Sequence, residues 1–336
     1  TGPVATSATG YLRISLLGLT PQLVALAATG LLRGLQNTRL PLAVAASGFS
    51  LNALLNWVLV YPVGLGLLGS AWGTVITQVG IALTYLWISL RLAHASDATI
   101  RPQRAALAGL ARSGGWLMVR TASLQAGILL TVRLAAAAGP LVLAGYQGVS
   151  ALFGVLQYAL DALGVSGQAL VGRARGAGDA PELRQLRRRL ALWGVGTGTA
   201  ALVLVVVGGR WLGALFTADP TLLGALPLAL SLLACTLPLT GWVFAMDGVL
   251  LGAEDFRYLA LAGLLNVALL LPVWGVLLWY LTTQHPPIWA ALTLSWAAFG
   301  GWFSVARLLT LSLRLHSDRW MRLPPAVSGG RRPAAR

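Results

Sequence analysis

The chain has 336 residues, of which 57% are hydrophobic and 10% charged, and its mean hydropathy is +0.76. Soluble domains carry about a quarter charged residues, so this composition excludes a soluble fold, and runs such as Ala201 to Val207, which do not alternate, exclude an outer-membrane barrel. The net charge of +15 rests entirely on arginine, and the one cysteine, Cys235, cannot form an internal disulfide.

In chain order, apolar segments of spanning length occupy residues 14–32, 41–62, 67–90, 115–138, 142–171, 190–208, 222–250, 259–281 and 287–313. Turn residues bound them: Pro41 opens the second, Gly139 and Pro140 part the fourth from the fifth, Pro220 precedes the seventh, and Pro286 and Pro287 start the ninth. The fold class expected is an all-α polytopic membrane protein. With the loop after the first segment placed inside, 19 of the 24 arginines fall in cytoplasmic connections. Arg13 and Arg210 fall outside, and Arg120, Arg133 and Arg307 lie within spans. Residues 91–113, 172–189 and 314–336 are thus expected to be cytoplasmic and 209–221 external. The positive charge is a topology signal spread over separate loops, so a nucleic-acid partner is not expected. A chain with no lysine, rich in Ala, Gly and Leu, points to a GC-rich bacterial genome, which concerns codons and not mechanism.

The first loop, Gly34 to Arg39, resembles Gly252 to Arg257 at an offset of 218 residues, and the last three segments repeat the first three at that offset. Six segments follow residue 115, so the other half would begin ahead of residue 1, and the sequence reads as lacking three spans of a six-plus-six architecture. Two halves of like orientation, with a pathway between them, form a transporter pattern. The expected division is 1–100 as the second part of the first bundle, 101–114 as a cytoplasmic linker, 115–315 as a six-helix bundle, and 316–336 as a basic tail.

Two acidic residues, Asp161 and Asp247, lie well inside a span, where a charge costs about 2.5 to 3.5 kcal/mol on insertion scales. Each therefore needs a partner, a wet cavity or a proton. Gln147, Ser150, Gly154, Gln157, Asp161, Gly164 and Gln168 recur at spacings of three and four on one helix face. The stripe reads as a cavity lining, with helix packing as the plainer alternative. Thr236 and Thr240 precede Asp247 on the seventh span, offering neutral oxygens, and Asp247 is alternatively a structural partner of an intramembrane arginine. Asn52 with Asn56, and Thr74 with Gln78, are four apart on consecutive spans; they either complete the cavity wall or bond between helices. Arg120, Arg133 and Arg307 are read as structural residues snorkelling toward the span ends, with pairing to a carboxylate as the alternative. Asp179 and Glu182 mark a helix start, followed by an arginine-rich stretch from Leu183 to Leu190 at the inner surface. The glycine-rich run from Gly172 to Gly178 lacks a following Gly-Lys-Ser or Gly-Lys-Thr, so it is no Walker A loop, and the isolated His94, His285 and His316 supply neither zinc ligands nor a triad.

Several segments resemble the multidrug and toxic compound extrusion (MATE) transporters, in particular the DinF-like branch. They are Leu32 to Pro41, Leu160 to Arg173, Gly176 to Asp179, Leu215 to Pro220 and Val243 to Tyr258. The resemblance implies that the visible spans are the family's fourth to twelfth, and that Asp247, between Met246 and Gly248, matches the family's cation-site aspartate.

The expected function is an antiporter, driven by H+ or Na+, that exports organic, often cationic, amphipathic compounds by alternating access from a bacterial inner membrane. It is read as a monomer in membrane lipid, without enzymatic activity, cofactor or metal other than Na+ at Asp247. Two alternatives stand beside it: a lipid-linked oligosaccharide flippase, which wants central cationic residues where Asp161 and Asp247 make an acidic cavity, and a non-transporting assembly subunit.

Overall fold

The computed structural model describes residues 3–35, 37, 39–95 and 104–321. Residues 96–103, the tail from 322 onward, Gln36 and Thr38 of the first loop, and the Arg210 side chain, all of which carry expectations above, lie outside that description. Among the described residues eight helices are long and apolar enough to cross a membrane, or nine when one bent pair is counted as a span. Contacts divide the chain into two units, Thr1–Gln103 and Arg104–Arg336.

The first unit holds α1 (Pro3–Leu17), α2 (Leu19–Gly34), α3 (Arg39–Val60) and α4 (Gly66–Ala95). The first span, expected as one segment over 14–32, is instead two helices bent by 43°. Pro21 accounts for the break: it has no N–H for the Leu17 carbonyl, and its ring crowds that carbonyl. α4 packs on all three other helices, around Ala25, Ala28, Leu32, Val44 and Tyr85. The Tyr85 hydroxyl donates to the Pro41 carbonyl at 3.4 Å, satisfying its polar end inside the packing.

The second unit contains α5 (Arg104–Ala137), α6 (Pro140–Ala177), α7 (Ala180–Phe216), α8 (Pro220–Gly252), α9 (Phe256–Gln284) and a last span made of α10 (Ile288–Trp296), a π-helical segment (Ala297–Phe303) and α11 (Ser304–His316). The helices outrun the apolar segments at their arginine-rich ends, because arginine is a good helix former. Residues 104–114, expected as linker, are the first turns of α5, and Leu183 to Leu190 are continuous with α7, whose start is capped by Asp179 accepting from the Glu182 N–H at 2.8 Å. Gly139, at φ 122°, turns the chain between α5 and α6, and Pro140 opens α6 at once.

α8 is the most buried span because α6 and α7 flank it through glycines. A Cβ on Gly194 would lie 2.5 Å from the Gly241 carbonyl oxygen, and one on Gly252 would lie 2.5 Å from that of Gln168. In a bilayer, where apolar faces gain little by leaving lipid, such close backbone approach is what packing favours. The outward faces stay apolar: on α7, Val203, Leu204, Val206 and Val207 are all exposed.

Candidate functional site

Gly164 and Gly248 bring the two intramembrane aspartates together. A Cβ on Gly248 would collide with the Gly164 backbone, and one on Gly164 would sit 3.0 Å from the Phe244 carbonyl oxygen. Asp161 lies one helical turn before the first glycine and Asp247 directly before the second, so both carboxylates border one cavity of about 350 Å³. Gln157, Asp161, Gly164 and Gln168 of the expected stripe line it, whereas Gln147, Ser150 and Gly154 are not among its lining residues. The stripe is therefore both things at once, since Gly164 packs while its polar neighbours face the cavity.

Two of the three intramembrane arginines take the carboxylate pairing that was the alternative to snorkelling. Arg120 on α5 and Arg307 on α11 do not snorkel away; both bond the same Asp247 Oδ2, Arg307 at 3.3 Å. The side chains of Arg120, Arg307 and Asp247 are only 16%, 14% and 11% exposed. Charges held this far from water need such partners, because an unpaired one carries a desolvation penalty of several kcal/mol. Arg307 also lies over the Phe244 ring, 5.8 Å from its centroid. Arg133 is exposed and lines no part of this cavity.

These pairs correct the expectation of an acidic cavity. Its lining contains Arg120, Arg307, Asp161 and Asp247, so the formal charges balance. The two aspartates are unlike: Asp247 is 8% exposed and its Oδ2 is engaged by two guanidinium groups, while Asp161 is exposed, borders the cavity and has no ion pair or hydrogen bond among the described residues. The Thr240 hydroxyl borders the cavity but donates to the Thr236 carbonyl at 2.9 Å, and Thr236, which is not a lining residue, donates to the Leu233 carbonyl at 2.8 Å.

An aromatic wall completes the site, and the sequence reading missed it. The π-helical segment carries Phe299 and Phe303, whose rings stack at 5.7 Å, and Phe299 meets Phe153 edge-on at 6.0 Å. Trp296 stands behind them against Tyr146 and Phe153. A π turn inserts one residue into the helical register and is frequent at functional sites. The available signal was Gly300-Gly301 between aromatic residues, with an arginine six positions on.

In the first unit the structure brings three of the four polar residues into one chain between α3 and α4. Asn56 Nδ2 donates to Asn52 Oδ1 at 3.2 Å, and Asn52 Nδ2 reaches Thr74 Oγ1 at 3.5 Å. Gln78 is apart from them, its side chain lying against Gly18 at the bend of the first span.

The model of the MatE family matches residues 1–58 and 118–277. The chain belongs to the MatE family. Among MatE relatives, Protein DETOXIFICATION 44, chloroplastic, from Arabidopsis thaliana is 31% identical over 258 residues, covering 77% of this chain and 49% of the relative. The probable multidrug resistance protein NorM of Bradyrhizobium diazoefficiens is 27% identical over 327 residues, covering 90% of this chain and 66% of that protein. The chain spans about half the length of the first curated relatives it matches. An outward-facing multidrug resistance MATE family transporter of the MOP superfamily superposes with a TM-score of 0.80 at 18% identity, over 94% of this chain and 71% of that one. A MOP superfamily transporter from Pyrococcus furiosus, described by a reverse polarity of its binding pocket, gives 0.79 at 17% identity, with the same two coverages. The fold is thus that of MATE transporters, and the chain is a multi-pass membrane protein of this family.

Proposed function

We propose that this MatE chain works in an ion-coupled antiporter of the DinF-like branch, exporting organic amphipathic compounds with a cationic group from a bacterial cytoplasmic membrane by alternating access. The carrying observation is Asp161: a carboxylate without a partner among the described residues borders a cavity walled by Phe153, Phe244, Phe299 and Phe303. An amphipathic cation matches both features, its charge meeting Asp161 and its apolar body meeting rings whose faces attract cations. Arg120 and Arg307 border the same cavity, but each pairs with Asp247, and with Asp161 the formal charges of the lining balance, which does not favour the pyrophosphate of a lipid-linked sugar.

Asp247 is assigned the coupling role through its two arginines. Protonating this carboxylate would remove the charge that holds Arg120 on α5 and Arg307 on α11, so one proton would loosen two contacts on two helices. The positive field of two guanidinium groups opposes H+ and Na+ alike, so both stand as coupling ions at this position. The arginine distribution supports residues 172–189 as cytoplasmic and 209–221 as external.

The test is Asp161→Asn in the full-length gene product, with tetraphenylphosphonium binding measured in detergent and proton-driven uptake measured in vesicles. Removing one charge-assisted contact is expected to weaken binding about tenfold or more, with unchanged thermal stability. Unchanged binding and transport in a stable variant would refute the assignment.

A further inference from the structure

A second pocket, of about 580 Å³, lies at the arginine-rich end of α7, bordered by α8, α11 and the short turn Asp318–Met321. Its volume is within the usual range for ligand sites, about 300 to 1,000 Å³. Arg184, Arg187 and Arg188 occupy one face of α7 at spacings of three and four, with Ala191 continuing that face into the span. Like charges one turn apart repel, so this face is unfavourable unless an anion answers it.

The protein answers it incompletely. Elsewhere in this unit Arg173, Arg175 and Arg314 each have a carboxylate, on Glu182, Glu254 and Asp255 respectively. In the pocket, Arg184 has a loose, exposed pair with Asp318 at 3.5 Å, and Arg187 donates to the Leu315 carbonyl at 2.5 Å, closing the end of α11. Arg188 has no ion pair or hydrogen bond among the described residues. Trp242, Met246 and Leu315 supply an apolar part of the lining, while Ser312, His316 and Asp318 border the pocket from α11 and the turn after it. α7 is a candidate membrane span from Ala180 onward, so its arginine face stands at the end of a span.

We infer that this pocket binds the phosphate headgroup of an anionic membrane lipid, Arg184 and Arg188 holding the phosphate while the glycerol and first methylenes lie on Trp242 and Met246. Basic pockets between spans on the arginine-rich side of a membrane suit such headgroups, and the apolar part of the lining distinguishes a lipid from free phosphate. Arg187 is a positioning residue, which ties α11 to α7 and shapes the wall.

The experiment uses the delipidated full chain in neutral detergent, with equal phosphatidylglycerol and phosphatidylcholine added and retained lipid read by native mass spectrometry. The wild type should retain phosphatidylglycerol selectively. Arg188→Gln, which breaks no bond, should retain it about fivefold less, and Arg184→Gln with Arg188→Gln about 25-fold less. Asp318→Asn, by removing the competing carboxylate, should increase retention. Arg112→Gln, an exposed arginine outside the pocket, should change nothing. The inference is overturned if Arg188→Gln matches the wild type, if Arg112→Gln costs as much as Arg188→Gln, or if both lipids are retained equally. Inorganic phosphate that binds as tightly as phosphatidylglycerol would also overturn it, in favour of a soluble-anion site.

Discussion

The 218-residue repeat allows two regions to be compared position by position. Thr29 and Gly30 on α2 correspond to Asp247 and Gly248 on α8, and Ser89 on α4 corresponds to Arg307 on α11. In the first region the Thr29 hydroxyl closes on its own helix, donating to the Ala25 carbonyl at 2.8 Å, and nothing stands within 4 Å of a Cβ built on Gly30. In the second, the equivalent positions carry a buried ion cluster and a backbone-to-backbone helix crossing. The same helical plan therefore serves two chemistries. The repeat conserves apolar length and the loop that joins spans, while charge enters through a few positions where a neighbouring helix supplies its partner.

The largest effect that sharpens this contrast is expected at Asp247. Asp247→Asn leaves Arg120 and Arg307 buried without a carboxylate, and breaking a buried pair costs about 3 to 5 kcal/mol. Membrane abundance and melting temperature should both fall, whereas Thr29→Asn should leave them nearly unchanged. Replacing the whole cluster with Asp247→Leu, Arg120→Met and Arg307→Met should recover much of the stability while abolishing transport. If Asp247→Asn melted like the wild type, the cluster would not be holding these helices together.

Next in size, Gly248→Ala must push α8 away from the Gly164 backbone and should cost about 1 to 3 kcal/mol. Gly30→Ala meets open space on an ordinary helix and should be neutral or stabilising by up to about 1 kcal/mol. Equal melting shifts for the two alanines would erase the difference drawn between the regions. Smallest is Asn52→Ala, which removes the centre of the Asn56–Asn52–Thr74 chain; intramembrane hydrogen bonds average about 0.6 kcal/mol, so a shift of that order is expected, with no change in cation binding. A loss of binding there would favour the cavity-wall reading of these amides over interhelical bonding alone.

Much of the architecture was legible in the residues. Span number, turn positions at Gly139-Pro140 and Pro220, and the helix start at Asp179 follow from apolar length and capping chemistry, which are local. The bend at Pro21 was equally local in cause, yet the apolar run continued through it, and hydropathy does not register a missing N–H. The helix ends of α5 and α7 were underestimated for a related reason, since hydropathy sees arginine as an end while the backbone sees a good helix former.

The sequence by itself determined that this is a polytopic helical membrane protein with an internal repeat, because bilayer thickness and backbone hydrogen bonding leave an apolar chain few other solutions. It also marked Asp161 and Asp247 as residues needing an explanation, because a charge in a span is costly wherever the helix sits. The tertiary structure alone decided which explanation each receives. Arg120 and Arg307 are 127 and 60 positions from Asp247, and their convergence on one oxygen depends on α5, α8 and α11 meeting. Among the described residues no guanidinium pairs with Asp161, and the Phe299 and Phe303 wall sits on the π turn of the last span. Pairing between distant spans depends on packing and helix rotation, and periodicity within one span carries no information on either.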